Sequence, residues 1–248
     1  MQRITRISTA TVVALLLIAG NAPSLPIKKK AKVPVSVAVC PTTFATCPDE
    51  GCGTNKDDEL NRAKNKSAVP AESDVQDMTI TQIRSLAQPT RWNTNDDRSP
   101  IQGDEKEGTP VRVMGRLKLI KNEGAESCNC GITGLKKTDL HLVIVSRITD
   151  PEATSMTAEM TPRVRANGHP NWLRAKMIAA GLQGKFIRLT GYLMLDTKHI
   201  RQTHLLLGER RNSSLVRATN WEVHPITKFE VCKSTIANCR TGTGWQEF

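Results

Sequence analysis

Two alternating runs, each with a glycine near its centre, constrain this chain most. In Val111-Arg-Val-Met-Gly-Arg-Leu-Lys-Leu119, Val111, Val113, Leu117 and Leu119 face one way and Arg112, Arg116 and Lys118 the other. Lys185-Phe-Ile-Arg-Leu-Thr-Gly-Tyr-Leu-Met-Leu195 repeats the scheme with Ile187, Leu189, Leu193 and Leu195. A period of two marks a strand with one buried face. Gly115 and Gly191 fall on those inward faces. A glycine there allows the sharp coiling of a small closed barrel.

Three more strands are expected. They are Asp139 to Ser146, Ser155 to Arg163, and residues 218–231, ATNWEVHPITKFEV. In the last, Val223, Thr227, Phe229 and Val231 share a face, Trp221 is an apolar anchor, and Pro225 marks a bulge or an edge. Pro170 and Gly181 bracket a helix whose stripe is Trp172, Ala175, Ile178, Ala179 and Leu182. The order is three strands, a helix, then two strands. That is the element order of an OB-type barrel. A ferredoxin-like fold needs a helix between the first two strands, where Gly124 to Thr138 is turn-rich. The expected fold is mainly β: a five-stranded OB-like barrel with one helix between strands three and four, preceded by a loosely structured, disulfide-containing arm.

The N-terminus reads as a secretory signal. Arg3 and Arg6 precede the apolar run Ala10 to Gly20, and small residues suit cleavage after Ala22. The expected division is a signal over 1–22, an arm with short helices over 23–107, the barrel over 108–233 and a tail over 234–248. In the arm, Asp57 to Lys64 suits a short helix, and Thr79 to Gln82 a capping box before a second helix that stops short of Pro89. No transmembrane segment is expected in the mature chain, which points to the periplasm or the exterior.

In an oxidising compartment, Cys40, Cys47, Cys52, Cys128, Cys130, Cys232 and Cys239 read as disulfide formers. Seven is odd, so at least one has no partner within the chain. Cys232 and Cys239 suit a small loop; Cys40, Cys47 and Cys52 form a second cluster. Cys128 and Cys130 are too close to bridge each other, so each is expected to reach a distant partner. The lack of a CxxC pair counts against a cysteine zinc site.

The formal charge is +11, and loss of Arg3 and Arg6 with the leader leaves +9. Such a surplus suits nucleic acid, anionic glycans or lipid headgroups. Aromatic residues are only 4%, which counts against base stacking on a single strand.

Leu60 to Lys66, Glu126-Ser-Cys-Asn-Cys130, Asp139-Leu-His141, Glu159-Met-Thr-Pro-Arg163 and Trp221-Glu-Val-His-Pro225 together resemble a family of uncharacterised exported bacterial proteins with an OB-like domain. The resemblance covers most of the mature chain and implies a fold, not an activity. The barrel is also similar, in fold only, to staphylococcal-type nucleases, whose catalytic pattern is absent.

Two functional readings follow. In the first, the protein is an exported OB-fold module that binds an anionic ligand (nucleic acid or glycan) or an envelope protein partner. Arg112, Arg116, Lys118, Arg163 and Arg188 would supply positive charge, and no cofactor is expected. In the second, it is a metal-dependent hydrolase, a phosphodiesterase for instance. Asp139 and His141 are two apart on one strand face, and so are Glu222 and His224. The catalytic candidates are His141, Glu159, Glu222 and His224. The metal-ligand candidates are Asp139, His141, Glu222 and His224. The same pairs also suit a solvated face or cross-strand hydrogen bonding.

Overall fold

The computed structural model describes residues 39–54, 56–200 and 217–248. The signal-peptide reading and the first residues of the arm lie outside them. In chain order the elements are α1 (Asp58–Lys64), β1 (Gln76–Met78), α2 (Ile80–Ser85), β2 (Pro110–Asn122), β3 (Leu140–Val145) and β4 (Met156–Met160). They continue with α3 (Pro162–Ala166), α4 (Arg174–Ala179), β5 (Phe186–Leu195), β6 (Trp221–Cys232), α5 (Ile236–Arg240) and β7 (Trp245–Glu247).

The two glycine-centred runs are antiparallel neighbours, with Gly115 opposite Ile187 and Gly191 opposite Val111. Pairing continues β2–β3–β4–β6–β5 and returns to β2, so five strands close on themselves. Within the barrel only β4 and β6 run parallel. The expected OB-type barrel is therefore present. Its interior is filled by Val111, Val113, Leu117, Leu142, Ile144, Ala158, Ile187, Leu189, Val223 and Phe229. The two glycines leave no room for a side chain. A Cβ on Gly191 would lie 2.2 Å from the Pro225 carbonyl oxygen, and one on Gly115 would lie 2.6 Å from Ile144 Cγ2.

The arm forms as its caps dictate. The Asp57 side chain accepts from Leu60 N at the start of α1, and Thr79 and Gln82 make the reciprocal capping box of α2. Each cap contributes about 1 kcal/mol. Leu60, Ile80 and Ile83 are buried. The sheet also extends beyond the expected barrel: β1 adds in parallel to β2, and β7 adds to β6. Phe248 packs on the core, and its carbonyl accepts from Trp172 Nε1 at 2.8 Å.

Several boundaries differ from expectation. The strand expected to run to Arg163 ends at Met160, because Thr161 caps α3 and Pro162 enters its first turn. The helix expected from Pro170 forms only over Arg174–Ala179, with Gly181 beyond its end at φ +64°. In β6 the register shifts twice opposite Gly191, so Ile226 enters the core, and Thr227 is buried too, donating its hydroxyl to the Thr190 carbonyl at 3.3 Å. The bulge read at Pro225 is the second of these shifts.

Three disulfides form: Cys40–Cys52, Cys47–Cys130 and Cys232–Cys239. Cys130 finds its distant partner. Cys128 does not, and is a free, buried thiol. The turn Ser127–Asn129 ends with Cys130 in the left-handed conformation, φ 54°, and of the two cysteines only Cys130 forms a disulfide to the arm. Three disulfides suit an oxidising compartment. Among the described residues, no helix is long and apolar enough to cross a membrane.

Candidate functional site

Strand register brings the acid and imidazole side chains together. Leu140, Leu142 and Ile144 of β3 point into the core, so His141 stands on the outer face. His141 is directly opposite Glu159, and Thr157 is opposite Glu222 across the parallel β4–β6 pair. His224 follows Glu222 by two. Alternation along three adjacent strands thus places His141, Thr157, Glu159, Glu222 and His224 on one outer patch, with Asp139 just ahead of β3.

The imidazoles lie within ion-pair distance of several carboxylates. His141 Nδ1 is 3.1 Å from Glu123 Oε1 and 3.3 Å from Glu159 Oε1, and its Nε2 is 3.2 Å from Thr157 Oγ1. His224 Nδ1 is 3.2 Å from both Glu159 Oε2 and Glu222 Oε1, and its Nε2 is 3.5 Å from Asp139 Oδ2. Asn129 Nδ2 donates to Asp139 Oδ1 at 2.9 Å. Arg217 bridges two acids, donating to Glu222 Oε2 at 2.7 Å and Asp196 Oδ2 at 2.5 Å.

The patch is on the outside of the barrel yet sealed. None of Asp139, His141, Glu159, Glu222 and His224 is more than 7% exposed. The lid is the arm with the β2–β3 loop. The Cys47–Cys130 bond ties the two together, and Asn65 Nδ2 donates to the carbonyls of Asp49 and Cys128 at 2.8 and 2.9 Å. Lys64 reaches in from α1 to Glu126 Oε1 at 2.7 Å, and Cys128 Sγ donates to Glu126 Oε2 at 3.4 Å.

Burial and charge set the protonation states together. Burial alone would lower both imidazoles. Glu123 and Glu159 instead raise His141 to about 9, and Glu159 with Glu222 raises His224 to about 10. Burial would raise Glu159, but His224 and His141 hold it well below the usual range. Asp139 is pushed well up by burial and then by Glu126. Glu126 is held down by Lys64 against its burial, and burial with Glu126 pushes the Cys128 thiol up.

All the acid and imidazole candidates therefore meet in one cluster. The five basic candidates all have partners within the chain. Arg112 pairs with Glu72 and Asp77, Arg116 donates to the Gly184 carbonyl, and Lys118 to those of Ile148 and Asp150. Arg188 makes two 2.7 Å bonds to Glu230, and Arg163 grips the arm at Asp49, Cys47 and Pro48. Arg163 Nε is nonetheless buried without a hydrogen-bond partner among the described residues.

Sequence reasoning missed Lys64, Glu123, Asp196 and Arg217. Lys64 and Arg217 reach the cluster from covering segments, and no period of the barrel strands marks them. An open cleft of about 700 Å³ lined by Glu59, Arg62, Lys66, Gln102 and Asp104 shares no residue with the cluster and is mixed in charge. Comparison with protein families, with curated proteins and with solved structures finds no match for this chain.

Proposed function

We propose that the protein is an exported OB-type binding module for an anionic ligand, rather than a hydrolase. One observation carries this reading: the acid and imidazole side chains that a hydrolase would present to substrate are sealed beneath the chain's own arm. Their pKa values support it. With no ion bound, imidazoles at about 9 and about 10 are charged at neutral pH, where a general base must be free. The three disulfides and the leader-like N-terminus support export.

Charge supports the ligand class. Residues 1–38 hold six Lys or Arg and no acid, and residues 201–216 hold three against one. The rest of the barrel, residues 108–200 and 217–233, carries 17 basic and 9 acidic side chains, whereas the arm over 39–107 carries 8 and 13, so the barrel and its connection are the basic part of the chain. Residues 201–216 connect the last two barrel strands, a connection that contributes to ligand binding in OB folds. Phosphate or sulfate groups would be held there by charge, without sequence readout. The resemblance to exported OB-like proteins agrees with this and adds no activity.

The test is titration of the mature, oxidised protein with a sulfated glycan and with a DNA duplex between low and physiological salt. The expected result is affinity that falls linearly with salt on logarithmic axes, and that weakens in Arg210→Ser/Arg211→Ser. No binding at low salt would overturn the proposal. So would phosphodiester turnover that disappears in His224→Ala.

A further inference from the structure

Three atoms in the sealed cluster are poorly served by the residues around them. Asp139 Oδ2, Glu159 Oε2 and His224 Nε2 are buried and find no hydrogen-bond partner among the described residues. Buried polar atoms left this way are rare and call for an explanation such as an ion. Asp139, Glu159 and His224 each offer one ligand atom, and these atoms all lie within 4.8 Å of one another. Glu126 and Cys128 form a second such group around the same Asp139.

The local charges point the same way. Glu222 is claimed by Arg217, and Glu126 by Lys64. Asp139 and Glu159 have no ion pair with an ammonium or guanidinium among the described residues; their ion-pair partners are imidazoles alone. We propose that Asp139, Glu159 and His224 form a closed, structural zinc site on the outer face of β3, β4 and β6, with Cys128 beside it as a fourth donor. Two carboxylates, an imidazole and a nearby thiol suit zinc better than magnesium or calcium, which favour all-oxygen shells. The spacing suits it too. Ligands about 2.05 Å from a tetrahedral ion stand about 3.3 Å apart. His224 Nε2 and Asp139 Oδ2 are already 3.5 Å apart. The site is independent of the anionic-ligand reading, because its groups are sealed from solvent.

The experiment uses oxidised, full mature protein, purified without chelator and without a His tag. Metal content is measured first. Chelator-treated protein is then titrated with zinc and with cobalt, reading calorimetry, the visible absorption of bound cobalt and the melting temperature. The expected result is one zinc per chain, a higher melting temperature on adding zinc, and tetrahedral cobalt bands. A sulfur-to-cobalt charge-transfer band should disappear in Cys128→Ser while the ion stays bound. Affinity should fall at least tenfold in Asp139→Asn. If His224→Ala does not fold, the wild-type titrations decide alone. No zinc or cobalt binding by the wild type would overturn the proposal and leave a metal-free charge network. So would binding unchanged in a folded Asp139→Asn variant.

Discussion

Removing the Cys47–Cys130 disulfide should cost more stability than removing any other. The bond joins residues 83 apart in sequence, whereas Cys232–Cys239 spans only 7. In the chain-entropy treatment, the first restrains the unfolded state by about 4.5 kcal/mol and the second by about 2.4 kcal/mol. The difference of about 2 kcal/mol comes from loop length alone. The variants are Cys47→Ala/Cys130→Ala and Cys232→Ala/Cys239→Ala, made as pairs so that neither leaves a new thiol. Urea denaturation at equilibrium gives each loss. For a domain of this size, about 2 kcal/mol is also about 4–8 °C in melting temperature. Equal losses, or a larger loss for the short loop, would refute the reasoning. They would mean that the arm is held by its packing and that the bond closes a loop already formed.

Three further outcomes follow from named contacts. Gly191→Ala should destabilise by about 1–3 kcal/mol or more, and more than Gly115→Ala. At Gly191 the new Cβ meets backbone oxygen at 2.2 Å, while at Gly115 its two nearest neighbours are side-chain methyls, so thermal melts should rank the two. Arg217→Met should cost about 3–5 kcal/mol in urea, because it takes the guanidinium from Asp196 and Glu222, both buried, and leaves each only an imidazole as ion-pair partner. Burial would raise the Asp196 carboxyl, but Arg217 and His199 hold it far below its usual value. Its contribution is therefore full above the unfolded value of about 3.9 and is lost as pH falls below that. Asp196→Asn should show a shallower acid loss of stability than the wild type between about pH 5 and 2. Parallel curves would contradict the assignment.

What could be read in the sequence was local. The alternation of β2 and β5 and their inward glycines led to the barrel, since period two survives in any strand with one buried face. Glu222 with His224, and Asp139 with His141, could be read as same-face pairs for the same reason. Their meeting could not, because it depends on the parallel β4–β6 contact, and register between distant strands leaves no mark in either. Ile226 was left off the inward face because alternation was carried through a bulge that shifts it. The partners of the basic candidates were not legible for a related reason. Arg112, Arg188 and Lys118 lie on the expected strand faces, but Glu72, Glu230 and two loop carbonyls meet them there. Which of Cys128 and Cys130 pairs depends on the fold of the Ser127–Asn129 turn against the arm, which spacing does not reveal.

Cys128 supplies the most direct measurement of the central claim, that the arm seals the charged cluster. It is the free thiol of the chain, lies beside Glu126 and Asp139, and is buried. A thiol reagent is added to the oxidised, metal-free protein, native and then in urea. The account predicts one thiol per chain in urea, and native labelling slower by about a hundredfold or more, because the reagent must wait for local opening. Native labelling at the unfolded rate, or no thiol in urea, would contradict it.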